Sequence, residues 1–134
     1  MADAISETAG QLLQAGQVKL DSSGNGVLIF EPSNARQRWV VSSVTVSTNQ
    51  AATATTVPVA TVAKNTTAAG TLSQGNNRGQ SWSGNQDTFA GEIDISPADF
   101  LSILFSPAPG QSGSPLSGVI AYATVTGTRY TRRA

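Results

Sequence analysis

The sequence predicts an all-β protein, a single antiparallel β-sandwich to which a jelly-roll arrangement is open, with a short N-terminal helix or arm in front of it. Two observations carry this. Runs of Val, Ile, Ala, Ser and Thr recur along the chain, and β-branched residues suit a pleated, half-buried surface. Gly, Pro and Asn interrupt those runs at intervals of roughly 8–15 residues, the spacing of short strands joined by tight turns. A chain of 134 residues is one domain's worth and can fill one core. The expected division is an arm or short helix over residues 1–16 and a sandwich over residues 17–134.

From the N-terminus, Ile5, Ala9, Leu12 and Leu13 fall at helical spacing, with Asp3 and Glu7 early, where a helix dipole favours acids. Residues 2–14 therefore read as a short amphipathic helix or an arm that docks on a partner, and Gly10 weakens the helix. The segment has neither a basic leader nor a continuous apolar stretch, so it is not expected to be a secretory signal. Nothing in the chain approaches ~18 consecutive apolar residues, so no membrane span is expected.

Residues 17–20 and 26–30 flank Asp21-Ser22-Ser23-Gly24-Asn25-Gly26, and Asn-Gly predicts a hairpin. Pro32 stops the second strand. Residues 38–48 form the clearest strand. Strict alternation places Val40, Val44 and Val46 on one face and Trp39, Val41, Ser43 and Thr45 on the other. Residues 55–64 form a strand with Val57, Val59 and Thr61 on one face, and Pro58 inside it predicts an edge or a bulge. Residues 65–89 are polar and glycine-rich, with weak strands expected near Thr71 and over residues 79–83. Residues 91–96 are a short strand with Ile93 and Ile95 inward, and Ser96-Pro97-Ala98-Asp99 is a turn. Phe100-Leu101-Ser102-Ile103-Leu104-Phe105 is apolar on both faces, which suits a central strand covered on both sides or a strand at an interface. Residues 107–115 are a loop, and the last strand runs from Gly118 to about Tyr130 ahead of a basic tail.

The chemistry is defined largely by missing residue types. The chain has no His and no Cys, which removes the usual proton shuttle, the thiol nucleophile and the commonest zinc ligands. No catalytic residue, cofactor or metal is expected. Charged residues are 12% of the chain, about half of the ~25% usual for soluble domains, and the formal net charge is zero. Attraction to nucleic acid or an anionic membrane is not expected. A neutral surface lacks charge-based protection against self-association, so it suits a protein whose surface is covered by neighbours, or one with a low-charge extracellular surface.

Glu92 and Asp94 would share one strand face, where paired carboxylates can bind Ca²⁺ or serve a glycosidase, yet calcium-loop spacing is absent and an ordinary solvated face is the expectation. Trp82, in a polar stretch, either contacts a partner or a sugar or caps one end of the core. Arg129, Arg132 and Arg133 form a small basic patch that could pair with a partner's acids or with phosphate, and a solvated tail is the expectation. Asn65-Thr66-Thr67 matches a glycosylation acceptor. The candidate partner contacts are thus Ile5, Leu12, Leu13, Trp82, Arg132 and Arg133.

The order of these motifs also resembles a known group. A Gly24-Asn25-Gly26 turn and a stop at Pro32 precede Arg38-Trp39-Val40-Val41 and Val44-Thr45-Val46-Ser47-Thr48. A Thr/Pro/Val strand, Gly84-Asn85-Gln86-Asp87-Thr88 and an apolar strand follow, and the chain closes on Ala123-Thr124-Val125-Thr126-Gly127-Thr128-Arg129-Tyr130. This looks like the small β-sandwich virion proteins of tailed bacteriophages, especially those of actinobacteria, over residues 17–130. The resemblance implies a non-enzymatic structural protein located in the virion. It would be either an accessory capsid (decoration) protein bound to the outer shell or a minor tail, tail-tip or fibre module facing the host. A carbohydrate-binding sandwich is the alternative from another class. The implied partners are major capsid or tail proteins, a host-surface glycan in the second case, and further copies of the chain, for which a homotrimer is the expectation.

Overall fold

A computed structural model describes residues 7–51, 54–65, 78–81, 86–108 and 110–132. Among these residues there are eight strands: β1 (Glu7–Lys19), β2 (Gly26–Phe30), β3 (Gln37–Thr48), β4 (Pro58–Lys64), β5 (Arg78–Ser81), β6 (Gln86–Ile95), β7 (Leu101–Pro107) and β8 (Ile120–Arg132). One sheet has the order β1-β8-β3-β6 and the other β2-β7-β4-β5. All pairings are antiparallel, and β1 pairs β8, β2 pairs β7, β3 pairs β6 and β4 pairs β5. Each pair sums to nine, so the chain is one long antiparallel ribbon, folded at its middle and rolled into two facing sheets. That wrapping is the jelly roll.

The core lies between the sheets. Leu12, Trp39, Val41, Val44, Val46, Ala121, Ala123 and Val125 face it from the first sheet, and Phe30, Ala60, Val62, Leu101, Ile103 and Phe105 from the second. Leu116, in a single 3₁₀ turn over Ser114–Leu116, is buried in the core beside Gly24. Its neighbourhood needs the glycines at 24 and 113. Gly24 has φ +81°, and a Cβ on Gly113 would lie 1.8 Å from the Ser23 carbonyl oxygen. The indole of Trp39 is buried, and its N–H donates to Gln37 Oε1 at 2.9 Å, so burial leaves that donor satisfied.

Four expectations change. Residues 7–14 are strand, not helix. Leu12 is fully buried and Leu13 is 60% exposed, the alternation of a β-strand whose inner face packs on its own sandwich. β1 also runs unbroken through residue 16, so the expected boundary between arm and sandwich falls inside a strand. Residues 20–25 do turn, and Asp21 N–H donates to the Asn25 carbonyl at 2.9 Å, but the flanking strands enter different sheets and form a corner, not a hairpin. β4 is an interior strand, not an edge: Pro58 is tolerated because it is the first residue, beyond the reach of β5. Val59 and Thr61 share a face as expected, the half-buried one, while Pro58, Ala60 and Val62 face inward and Val57 precedes the strand.

The fourth change is in β3. The register with both neighbours shifts between Val41 and Ser43. Trp39 and Val41 point inward before the shift and Val44, Val46 and Thr48 after it, so one extra residue lets both apolar halves reach the core. Ser42 Oγ donates to the Thr126 carbonyl at 3.2 Å, and Ser43 Oγ lies 2.6 Å from Thr126 Oγ1. Gly127 sits against the bulge, where a Cβ would lie 2.1 Å from the Val40 carbonyl oxygen and 2.9 Å from Val41 Cα. The expected inward facing of Ile93 and Ile95 holds, and so does the turn at residues 96–99, closed by Asp99 N–H to the Ser96 carbonyl at 2.9 Å. β7 is a central strand, buried at every position from Leu101 to Phe105. The weak strand expected near Thr71 lies outside the described residues; that expected over 79–83 appears as β5.

Urea denaturation of four variants tests this packing. Leu12→Ala should cost about 3 kcal/mol, the usual loss for a fully buried leucine, whereas Leu13→Ala should change stability by less than about 0.5 kcal/mol. Gly127→Ala should cost at least about 2–3 kcal/mol because only backbone atoms surround the added methyl. Gly110→Ala should cost about 1 kcal/mol, because its φ of +80° is strained for alanine but the space around it is empty.

Candidate interaction surfaces

The middle of the outer face of the β1-β8-β3-β6 sheet carries no charge. Across strands it reads Leu13–Thr126–Ser43, then Ala15–Thr124–Thr45–Thr88, then Gln17–Tyr122–Ser47. The hydroxyls bond along the rows, as in Thr45 Oγ1 to Thr88 Oγ1 at 3.3 Å. Threonines here follow from strand propensity, since their branched side chains pack well on a pleat. Leu13 and Tyr122 are two of the three large hydrophobic residues exposed among the described residues. Beside Tyr122 a shallow groove of about 300 Å³ runs between Ala15, Gln17 and Thr124.

Lys19 and Asp21 lie at one end of the sheet, and Glu7, Arg36, Arg38 and Arg132 gather at the other. There β1 begins opposite the end of β8, and Glu7 lies across from Arg132. The Glu7 carboxylate reaches over β8 to Arg38 and accepts two hydrogen bonds, from Nε and from one terminal nitrogen, each 3.0 Å. The Arg38 guanidinium also lies 4.2 Å above the centre of the Tyr130 ring. The hydrogen bonds from Arg38, helped by the charges of Arg38 and Arg132, hold the Glu7 carboxyl below its ordinary value, and the Glu7 bond raises Arg38 in turn. Glu7, Arg36, Arg38 and Arg132, with Ala35 and Pro97, line a cleft of about 340 Å³. With Glu7 and Arg38 engaged with each other, Arg36 and Arg132 give the cleft its positive character. One charged contact at this end is structural. Asp99 accepts from Ser96 N–H and Oγ, from Asn65 Nδ2 at 2.9 Å, and from Lys64 Nζ at 3.3 Å. Asn65 Oδ1 in turn accepts from Phe100 N–H at 2.9 Å, so the end of β4 is tied to the turn before β7.

Of the contacts expected from sequence, Leu13 and Arg132 lie on exposed surface, Leu13 at the middle of β1 on the first sheet's outer face and Arg132 at one end of that face. Leu12 is in the core and is not available to a partner. Ile5, Trp82 and Arg133 lie outside the described residues. Glu92 and Asp94 are both exposed, and no group of three acidic, His or Cys side chains capable of holding a metal occurs among the described residues. The Glu7–Arg38–Tyr130 assembly was not found from sequence. Its members are far apart in the chain, and only the strand register brings them together.

No protein-family model and no curated protein sequence matches this chain. Among solved structures, one of infectious bursal disease virus, Gx strain, superposes on 99% of this chain with 13% identity and a TM-score of 0.37, and the chain spans 38% of that one's length. So loose a superposition does not identify a family.

The Asp99 network generates a pH dependence. Hydrogen bonds from Ser96 and then Asn65 hold the Asp99 carboxyl far below its ordinary value. A folded value below the unfolded one adds stability that is complete above the ordinary carboxylate range near 4 and is lost as pH falls below it. Asp99→Asn should therefore be less stable than the parent at pH 7, and the gap should narrow steadily below about pH 4 in thermal melts followed by circular dichroism.

Proposed function

We propose that this chain is a non-enzymatic structural protein of a virion, most concretely an accessory capsid protein that decorates the outer shell of a tailed bacteriophage. The observation that carries the reading is the distribution of charge over the surface. The outer face of the first sheet offers three rows without a charged residue and exposes Leu13 and Tyr122, while Glu7, Arg36, Arg38, Lys64, Asp99 and Arg132 gather at one end. A face without charge can be covered by a neighbour with no ion left desolvated and unpaired. A charged end keeps the assembled protein hydrated. The jelly roll also serves lectin and cupin domains, so the fold alone assigns no role. The absence of His and Cys from the sequence weighs against the metal-dependent chemistry of the latter. The resemblance of residues 17–130 to small phage virion proteins supports the same reading.

Immunogold labelling of virions made from the genome that encodes this chain tests it. Labelling of the head supports decoration. Labelling of the tail moves the protein to the tail or fibre role, and no labelling of washed particles overturns a virion function. The variant Thr124→Lys should fold normally yet lose at least about tenfold in occupancy on particles, since an ammonium group would have to be desolvated in the contact.

A further inference from the structure

A sheet edge is a row of unpaired backbone donors and acceptors, and proteins usually guard it with short strands, bulges, proline or charge. Among the described strands this sandwich has four edges. β2 and β5 are short, five and four residues. β6 carries the register shift against β3 and displays Glu92 and Asp94. β1 has none of these guards. It is 13 residues long, its register with β8 is unbroken from Glu7 to Lys19, and from Thr8 to Val18 it has no charge and no proline. No other described strand lies on its outer side.

We propose that two copies of the chain pair through β1, antiparallel, about a two-fold axis at Leu13, joining their first sheets into one eight-stranded sheet. The inference goes beyond the virion reading and does not depend on it. The occupant is identified by the near-symmetry of the strand about Leu13. Six residues before it is Glu7 and six after it is Lys19, so self-pairing centred there sets each Glu7 opposite the partner's Lys19. Arg132 flanks Glu7 on the other side, which gives an alternating row of positive, negative and positive charge. Opposite charges placed directly across strands stabilise a pair, and like charges destabilise it. Gly10 and Gly16 stand opposite each other, Gln11 meets Ala15, and Leu13 meets its own copy. A shift of two residues either way, the smallest that keeps both cores on the same side, removes the charge match. Parallel pairing in the same register sets Glu7 against Glu7. The antiparallel contact is isologous and closes at two. It supplies about a dozen backbone hydrogen bonds if the whole strand pairs.

Analytical ultracentrifugation and cysteine pairing on the full chain test it. The parent should sediment as a dimer. Leu13→Lys and Leu13→Glu each set like charges at the axis and should raise the dimer dissociation constant at least about tenfold. Their folds should survive, because the side chain is exposed. Mixed in equal amounts, the two variants should form a one-to-one dimer. In this cysteine-free chain, Leu13→Cys should crosslink to itself on oxidation, and Gln11→Cys should crosslink to Ala15→Cys but not to itself. A parent that stays monomeric up to about 100 μM, or sediments as a trimer, overturns the proposal. A mixture of the Lys and Glu variants that remains monomeric, or efficient self-crosslinking of Gln11→Cys, overturns the two-fold at Leu13.

Discussion

The interior of this sandwich depends on a one-residue offset in β3. Trp39 and Val41 lie at odd positions and Val44 and Val46 at even ones, so a regular strand would bury one pair and expose the other. The bulge between Val41 and Ser43 turns the second half over. Exposure of two large apolar side chains is avoided at the expense of one irregular peptide, and burying an aliphatic or aromatic side chain contributes about 1.5–3 kcal/mol. The irregularity must be accommodated by β8, which lies against it. Gly127 does this by having no side chain where Val40 to Ser42 approach, and the Ser42, Ser43 and Thr126 hydroxyls fill the disturbed region with hydrogen bonds. The uniform outer face of Thr and Ser follows, because after the bulge Ser43, Thr45 and Ser47 all point outward.

The fold was legible because strands that bury one face announce themselves by alternation. The apolar run at Leu101 to Phe105 was legible as central for the opposite reason, since covering on both faces removes the need for alternation. What could not be read was any feature set by a neighbour. Val40 looks like a core valine beside Val44 and Val46, and only the partner strands reveal the bulge that turns it outward. Leu12 and Leu13 fit a helical stripe as well as a strand, because a few apolar residues do not separate periods of 3.6 and 2. Asn25-Gly26 signals a turn locally, but whether a turn makes a hairpin or a corner depends on which strands it joins.

The candidate surfaces divide in the same way. The low charge of the chain pointed to a covered surface, but not to which face. Only the register gathers the Thr, Ser and Gln residues of four strands onto one side and brings Arg36, Arg38 and Arg132 to one end. Arg132, read as part of a basic tail, is the last residue of a strand and sits across from Glu7. Arg38, read as the start of a strand, proves to be the clamp that connects three strands at that end.

The nine-sum pairing also governs the order in which the fold can assemble. β4 and β5 are joined by a short stretch of chain, whereas the contact of Glu7 with Arg132 encloses almost all of it. Loop-closure entropy grows with the enclosed length, and chains dominated by distant pairings fold in about milliseconds to seconds. The ribbon is entropically easiest to zip from its middle outward, with β1 and β8 the last to meet. On a ribosome β8 is also the last strand to emerge. Throughout synthesis, therefore, β1 has both its edges open, and its long uncharged run is the segment most in need of protection from premature encounters.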